Sequence, residues 1–133
     1  MINQNWHSNN HRKYLLQVHL ILVTKYRRKI LTDTLSEMIK SLSVDILKKY
    51  GVLVKCMETD ADHIHYLLDA PTDLSVEKIV KLLKSYTTYH VWRNADLSNV
   101  YRKEHTLWTD GYFVCSIGDV SSSTLTRYIE NQG

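Results

Sequence analysis

Cysteine, proline and long apolar runs are all scarce in this chain of 133 residues, and each scarcity narrows what the protein can be. Cys56 and Cys115 are the only cysteines. They lie far apart with no metal-ligand spacing, which argues against a disulfide framework or a zinc site. Both sit in apolar runs and are expected to be buried, reduced thiols of a cytosolic protein. No apolar run approaches the roughly 20 residues that a membrane span requires. The segment Met1 to Lys13 is polar and rich in Asn and His, without the apolar stretch of a signal peptide. Repeats and low-complexity linkers are also missing. One domain over residues 1–133 is expected, cytoplasmic, with a single hydrophobic core and no membrane partner.

Charge of either sign is not dominant. The formal net charge is +3 and the pI is near 8.8. This permits a nucleic-acid partner without requiring one, since a plain solvated surface accounts for it equally well.

Periodicity then sets the order of elements. Tyr14 to Val23 is apolar and β-rich and predicts a strand, ended by the basic stretch Lys25 to Lys29. Thr34 with Glu37 suggests a capping box. Leu35, Met38, Ile39, Leu42 and Ile46 follow at helical spacing, and Gly51 stops that helix. Val52 to Thr59 and His63 to Ala70 read as a strand pair joined by a turn at Asp60 to Asp62. Pro71, the only proline, ends the second of these. Asp73 is a candidate N-cap for a helix with Ile79, Leu82, Leu83 and Tyr86 on its apolar face, running to about Arg93. Asn94 to Asp110 is polar and reads as irregular. Gly111 to Gly118 reads as a fourth strand, and Ser121 to Ser123 as the start of a short final helix carrying Tyr128. The order β-α-β-β-α-β plus a terminal helix predicts an α+β, ferredoxin-like sandwich with a four-stranded antiparallel sheet and both helices on one face. Right-handed crossovers place the first and third strands in the middle. The other face is left open for a site.

His63 and His65 are two apart on a strand, so both point to one face, while Ile64, Tyr66 and Leu68 point to the other. A pair of half-exposed surface histidines would explain this spacing alone. Tyr128 and Gln132, however, are four apart on the final helix and share a face. Gln132 has a carbonyl oxygen to offer a metal held by the histidines. Two imidazoles and one amide oxygen would leave positions open on Mg²⁺ or Mn²⁺, as an ion that polarises a phosphate requires. Tyrosine is a weak nucleophile at its reference pKa of about 10, so it needs an activated electrophile. His19 lies on the same side of its strand as Gln17 and Ile21. A place facing the metal and a hydrogen-bonded core role are both open to it.

Four segments in order carry a family resemblance over nearly the whole chain. Asp62-His63-Ile64-His65 resembles the His-hydrophobe-His motif of HUH endonucleases. His19 to Leu31, Leu107 to Gly118 and Tyr128 to Gln132 resemble, respectively, the first strand with its Lys-Tyr-Arg-Arg block, the fourth-strand region and the nucleophile helix of single-tyrosine HUH transposases. These are the TnpA, IS200-like transposases of bacterial and archaeal insertion sequences. The resemblance implies Tyr128 as nucleophile and His63, His65 and Gln132 as metal ligands. It implies cleavage and rejoining of single-stranded DNA through a 5′-phosphotyrosine, which keeps the energy of the broken phosphodiester for resealing. It also implies a homodimer that recognises hairpins. Family members usually continue beyond the point matching Gly133. A short terminal helix is marginal alone, so the Tyr128 helix is expected to be ordered only when docked, with Gly118 and the following serines as its hinge.

Basic residues fit a DNA partner: Lys25, Arg27, Arg28 and Lys29 after the first strand, and Lys78, Lys81 and Lys84 along the second helix. Each taken singly is as well explained as solvated charge. An RNA-recognition module shares the element order but places aromatics, not histidines, at the sheet centre. A transposase-like protein that binds hairpins without cutting is the other alternative. Two-histidine phosphoesterases need two His-x-Thr/Ser motifs, which this sequence lacks.

Overall fold

The computed structural model describes residues 15–116. The elements run β1 (Leu15–Val23), a 3₁₀ turn (Lys25–Arg27), α1 (Asp33–Lys48), β2 (Leu53–Asp60), β3 (His63–Pro71), α2 (Val76–Asn94), α3 (Ser98–Tyr101) and β4 (Phe113–Ser116). The expected final helix, with Tyr128 and Gln132, and the Gly118 to Ser123 hinge lie outside the described residues.

The four strands form one sheet in the order β2-β3-β1-β4 with antiparallel pairing throughout. This is the expected α+β sandwich with β1 and β3 at its centre. Strand alternation divides the residues cleanly. Leu20 and Leu22 of β1 and Ile64, Tyr66 and Leu68 of β3 join Ile39 and Leu47 of α1 and Ile79 and Leu83 of α2 in one buried cluster. Their neighbours His19, Ile21, His63 and His65 therefore face away from the helices. The Tyr66 hydroxyl in this core is satisfied: it lies 2.7 Å from that of Ser43.

The helix ends differ in detail from the sequence expectation. α1 begins at Asp33 with Thr32 at the N-cap and no side-chain cap. Glu37 therefore does not complete a box with Thr34 and instead approaches Lys40 at 3.5 Å. Gly51 does stop the helix, at φ 77°, in the left-handed region that suits glycine. α2 is capped not by Asp73 but by Ser75, whose hydroxyl accepts the Lys78 backbone N–H at 3.1 Å. Asp73 is spent inside a turn closed by the Leu74 N–H donating to the Pro71 carbonyl.

Two further expectations are corrected. The segment 94–110 is not simply irregular, because it contains α3 and buries Leu97, Tyr101, Leu107 and Trp108. Leu97, Val100 and Tyr101 have helical spacing, but over a single turn, too short for periodicity to register. Cys56 is exposed and Cys115 partly buried, and neither forms a disulfide among the described residues. A register shift between Val54 and Cys56 turns Cys56 outward on β2, an edge strand. No described helix is long and apolar enough to cross a membrane.

Candidate metal centre and nucleic-acid face

His63 and His65 sit half-buried near the start of β3, opposite Val23 and Ile21 on one side and Asp60 and Glu58 on the other. The sheet's two central strands thus fix both imidazoles on the face opposite the helices. Beside them Ile21 and Val23 are fully buried against Phe113 and Cys115, giving the histidines an apolar flank.

Each imidazole has one nitrogen engaged. His63 Nδ1 lies 2.9 Å from Asp62 Oδ1. Asp62 Oδ2 in turn accepts from Arg27 Nε at 3.1 Å and pairs with Arg27 Nη2 at 3.0 Å. Burial by itself would raise the Asp62 carboxyl; the His63 hydrogen bond and the Arg27 charge outweigh it and hold the carboxyl below its usual value. His65 Nε2 lies 2.7 Å from His19 Nδ1, and the two rings stack at 4.9 Å. Burial, and then the neighbouring His19, lower the His65 pKa and favour its neutral form. His19 therefore belongs to the site rather than to the core. Sequence alternation had left both places open to it.

These residues suit a divalent ion in part. A metal-binding histidine commonly donates its second nitrogen to a carboxylate, and Asp62 stands in that position toward His63. Binding through His65 Nε2 would require the His19 hydrogen bond to be given up. Among the described residues no group of three His, Cys, Asp or Glu side chains is gathered to hold a metal. A third donor must come from another residue type or from outside residues 15–116, where Gln132 lies.

The expected DNA-binding cations are spread over several settings. Arg27 is occupied by Asp62. Lys25 reaches the exposed Asp110, at 3.5 Å, and its ammonium lies 5.5 Å from the centre of the Tyr26 ring. Arg28 lies 5.9 Å from the centre of the Tyr26 ring, and Lys78 lies 6.0 Å from that of Tyr50. Lys29 is exposed. Lys84 is a structural anchor: its ammonium donates to the carbonyls of Thr109, Asp110 and Gly111 at 2.7, 3.0 and 3.1 Å. Burial is the largest influence on Lys84 and lowers its pKa.

Lys81 and Lys84 also border a groove of about 710 Å³ between α2 and the segment before β4. Tyr89, Trp92, Arg93 and His105 line it as well, and among the described residues no carboxylate does. Trp92 and His105 stack at 4.5 Å and 8°. Tyr89 is 57% exposed, with the Arg93 guanidinium 5.4 Å from its ring centre. The groove wall connects to the histidine end of the sheet. Trp108 bridges to Thr24, and the Thr24 N–H donates to the Asp62 carbonyl at 2.9 Å. Sequence reasoning missed this groove because its rings come from two separate segments.

Two tyrosines are poor nucleophiles by environment. Burial raises the Tyr66 hydroxyl far above its ordinary value and pushes that of Tyr101 up to about 12. Tyr128 lies outside the described residues.

Known proteins resemble this chain over most of its length. The family model described as "Transposase IS200 like" matches residues 12–132. The ISDra2 transposase TnpA of Deinococcus radiodurans is 29% identical over 123 residues, covering 90% of this chain and 85% of that protein. The transposase of insertion sequence element IS200 from Salmonella typhimurium is 27% identical, covering 92% and 80%. A crystal structure from Deinococcus radiodurans, described as a candidate transposase, superposes with a TM-score of 0.82 at 26% identity over 99% of this chain and 98% of that one. A REP-associated tyrosine transposase bound to a REP hairpin shares the fold at a TM-score of 0.57 and 8% identity, covering 98% and 68%. This chain belongs to the IS200-like transposase family.

Proposed function

We propose that this transposase cuts and rejoins single-stranded DNA at insertion-sequence ends, with Tyr128 as nucleophile beside Mg²⁺ or Mn²⁺ held by His63, His65 and Gln132. The supporting observation is the pair of imidazoles on one sheet face, with Asp62 engaging His63 Nδ1 so that Nε2 is left for an ion. The metal would polarise the scissile phosphate and offset its developing charge. The Tyr128 oxygen attacks phosphorus and the bond to the 3′ oxygen breaks. That oxygen takes up a proton and leaves as a 3′-hydroxyl, while the 5′ phosphate stays on the tyrosine. Attack by another 3′-hydroxyl reverses the chemistry and reseals DNA without a nucleotide cofactor.

The substrate proposed is single-stranded DNA folded into a hairpin, bound by a homodimer. The family and the hairpin held by the REP-associated relative support this choice. Incubation of the protein with single-stranded hairpin DNA and Mn²⁺ should yield a covalent protein–DNA band on a denaturing gel. Hairpin binding without any such band would favour a protein that binds hairpins and does not cut them.

The aromatic groove is suited to unpaired bases. Exposed rings flanked by cations offer stacking and phosphate neutralisation together, and each stacked base contributes about 1–3 kcal/mol. Tyr89→Ala should therefore weaken binding of single-stranded DNA by roughly tenfold, with little change in melting temperature because Tyr89 is exposed. Unchanged affinity in a fluorescence-anisotropy titration would remove the groove from the DNA path.

A further inference from the structure

Arg27 lies in a basic run, yet its guanidinium does not face open solvent. The reason lies in the backbone. After β1 the chain enters its 3₁₀ turn with Tyr26 at φ 58° and Arg27 at φ 50°, two successive non-glycine residues in the left-handed region. Such a conformation costs about 1–2 kcal/mol per residue and persists only where its surroundings impose it. Here they do. Fully buried Thr24 donates its N–H to the Asp62 carbonyl at 2.9 Å and its hydroxyl to the Arg28 carbonyl at 2.7 Å. The Arg27 N–H donates to the Thr24 carbonyl, and the Leu31 N–H to that of Ala61, both at 2.9 Å. The Tyr26 hydroxyl donates to Glu104 at 3.0 Å. The strained turn is thereby clamped to the β2–β3 turn that precedes His63.

The product of this clamp is a three-residue relay. Arg27 Nε and Nη2 both reach Asp62 Oδ2, and Asp62 Oδ1 reaches His63 Nδ1. The Arg27 and Asp62 side chains are 30% and 13% exposed, so water screens this pair less than a free surface pair. An imidazole that donates from Nδ1 to a carboxylate is fixed in one tautomer and one ring orientation, with its Nε2 lone pair directed outward.

We infer that Arg27 is a positioning residue that acts through Asp62 to hold His63 ready for the metal, and not a DNA-phosphate contact. The inference rests on the proposed role of His63 as a metal ligand. Its charge is already matched by Asp62, so Arg27 adds little to counterion release on DNA binding.

Isothermal titration with Mn²⁺ alone, on the full chain without DNA, tests this. His63→Ala serves as the reference for loss of the site. Arg27→Met and Asp62→Asn should each weaken Mn²⁺ binding by about 10- to 100-fold, and Arg27→Lys should recover part of the loss. Ring ¹⁵N shifts should show His63 carrying its proton on Nδ1 in the parent protein and on a mixture of nitrogens in Arg27→Met. The salt dependence of hairpin binding in EDTA should stay unchanged in Arg27→Met, while charge reversal at Arg28 and Lys29 flattens it. If Arg27→Met proves unstable, Arg27→Lys and Asp62→Asn carry the same comparison. Parent-like Mn²⁺ affinity in these variants would overturn the inference, as would a reduced salt slope with unchanged Mn²⁺ affinity. Parent-like binding by His63→Ala would instead overturn the metal site itself, and the positioning role with it.

Discussion

Tyr128→Phe should abolish the covalent protein–DNA adduct while leaving hairpin affinity within about twofold. The substitution removes one oxygen, and that oxygen is the atom proposed to bond to phosphorus. Removing a catalytic nucleophile elsewhere costs up to about 10⁶-fold in turnover, so the adduct should fall below detection on a denaturing gel. Hairpin binding depends on phosphate neutralisation and stacking, neither of which this hydroxyl supplies. The chain has nine tyrosines, and two are disfavoured as replacements. Tyr66 is sealed in the core against Ser43, and burial pushes Tyr101 up to about 12. A full-strength adduct from Tyr128→Phe would assign the chemistry to a different tyrosine.

His63→Ala or His65→Ala should lower cleavage by on the order of 10³-fold in both Mg²⁺ and Mn²⁺. An ion acting on a phosphoryl oxygen supplies several kcal/mol of transition-state stabilisation, and about 4 kcal/mol corresponds to that factor. In the proposed site either loss would leave one imidazole and one amide oxygen, too few ligands to retain the ion. Gln132→Ala should cost less, because both imidazoles remain, and raised metal concentration should restore part of the rate. Normal cleavage by both histidine variants in a gel-based single-turnover assay would refute the metal assignment.

Much of the fold was legible because its signals are local. Alternation on β3 separated Ile64, Tyr66 and Leu68 from His63 and His65. Helical spacing found α1 and α2, and Gly51 marked where α1 ends. The features that escaped depend on contacts across the fold. Asp62 and Arg27 are 35 positions apart, so nothing in the basic run shows which of its cations is matched by a carboxylate. Lys84 looks like solvated charge on a helix until the three carbonyls before β4 close over it. The turn that absorbs Asp73 passes the cap of α2 to Ser75, and an irregularity in an edge strand exposes Cys56. At the site, alternation left the place of His19 open and gave no sign of its 2.7 Å approach to His65.

The most direct test of the proposed chemistry is to locate the protein–DNA bond. The adduct formed with hairpin DNA and Mn²⁺ would be denatured and digested with trypsin and nuclease, then sequenced by tandem mass spectrometry. Cleavage after Arg127 gives a peptide that begins at Tyr128. The expected result is a nucleotide joined through its 5′ phosphate to Tyr128, with a free 3′-hydroxyl on the released strand. A 3′-phosphate linkage, or a nucleotide on any other residue, would contradict the proposal.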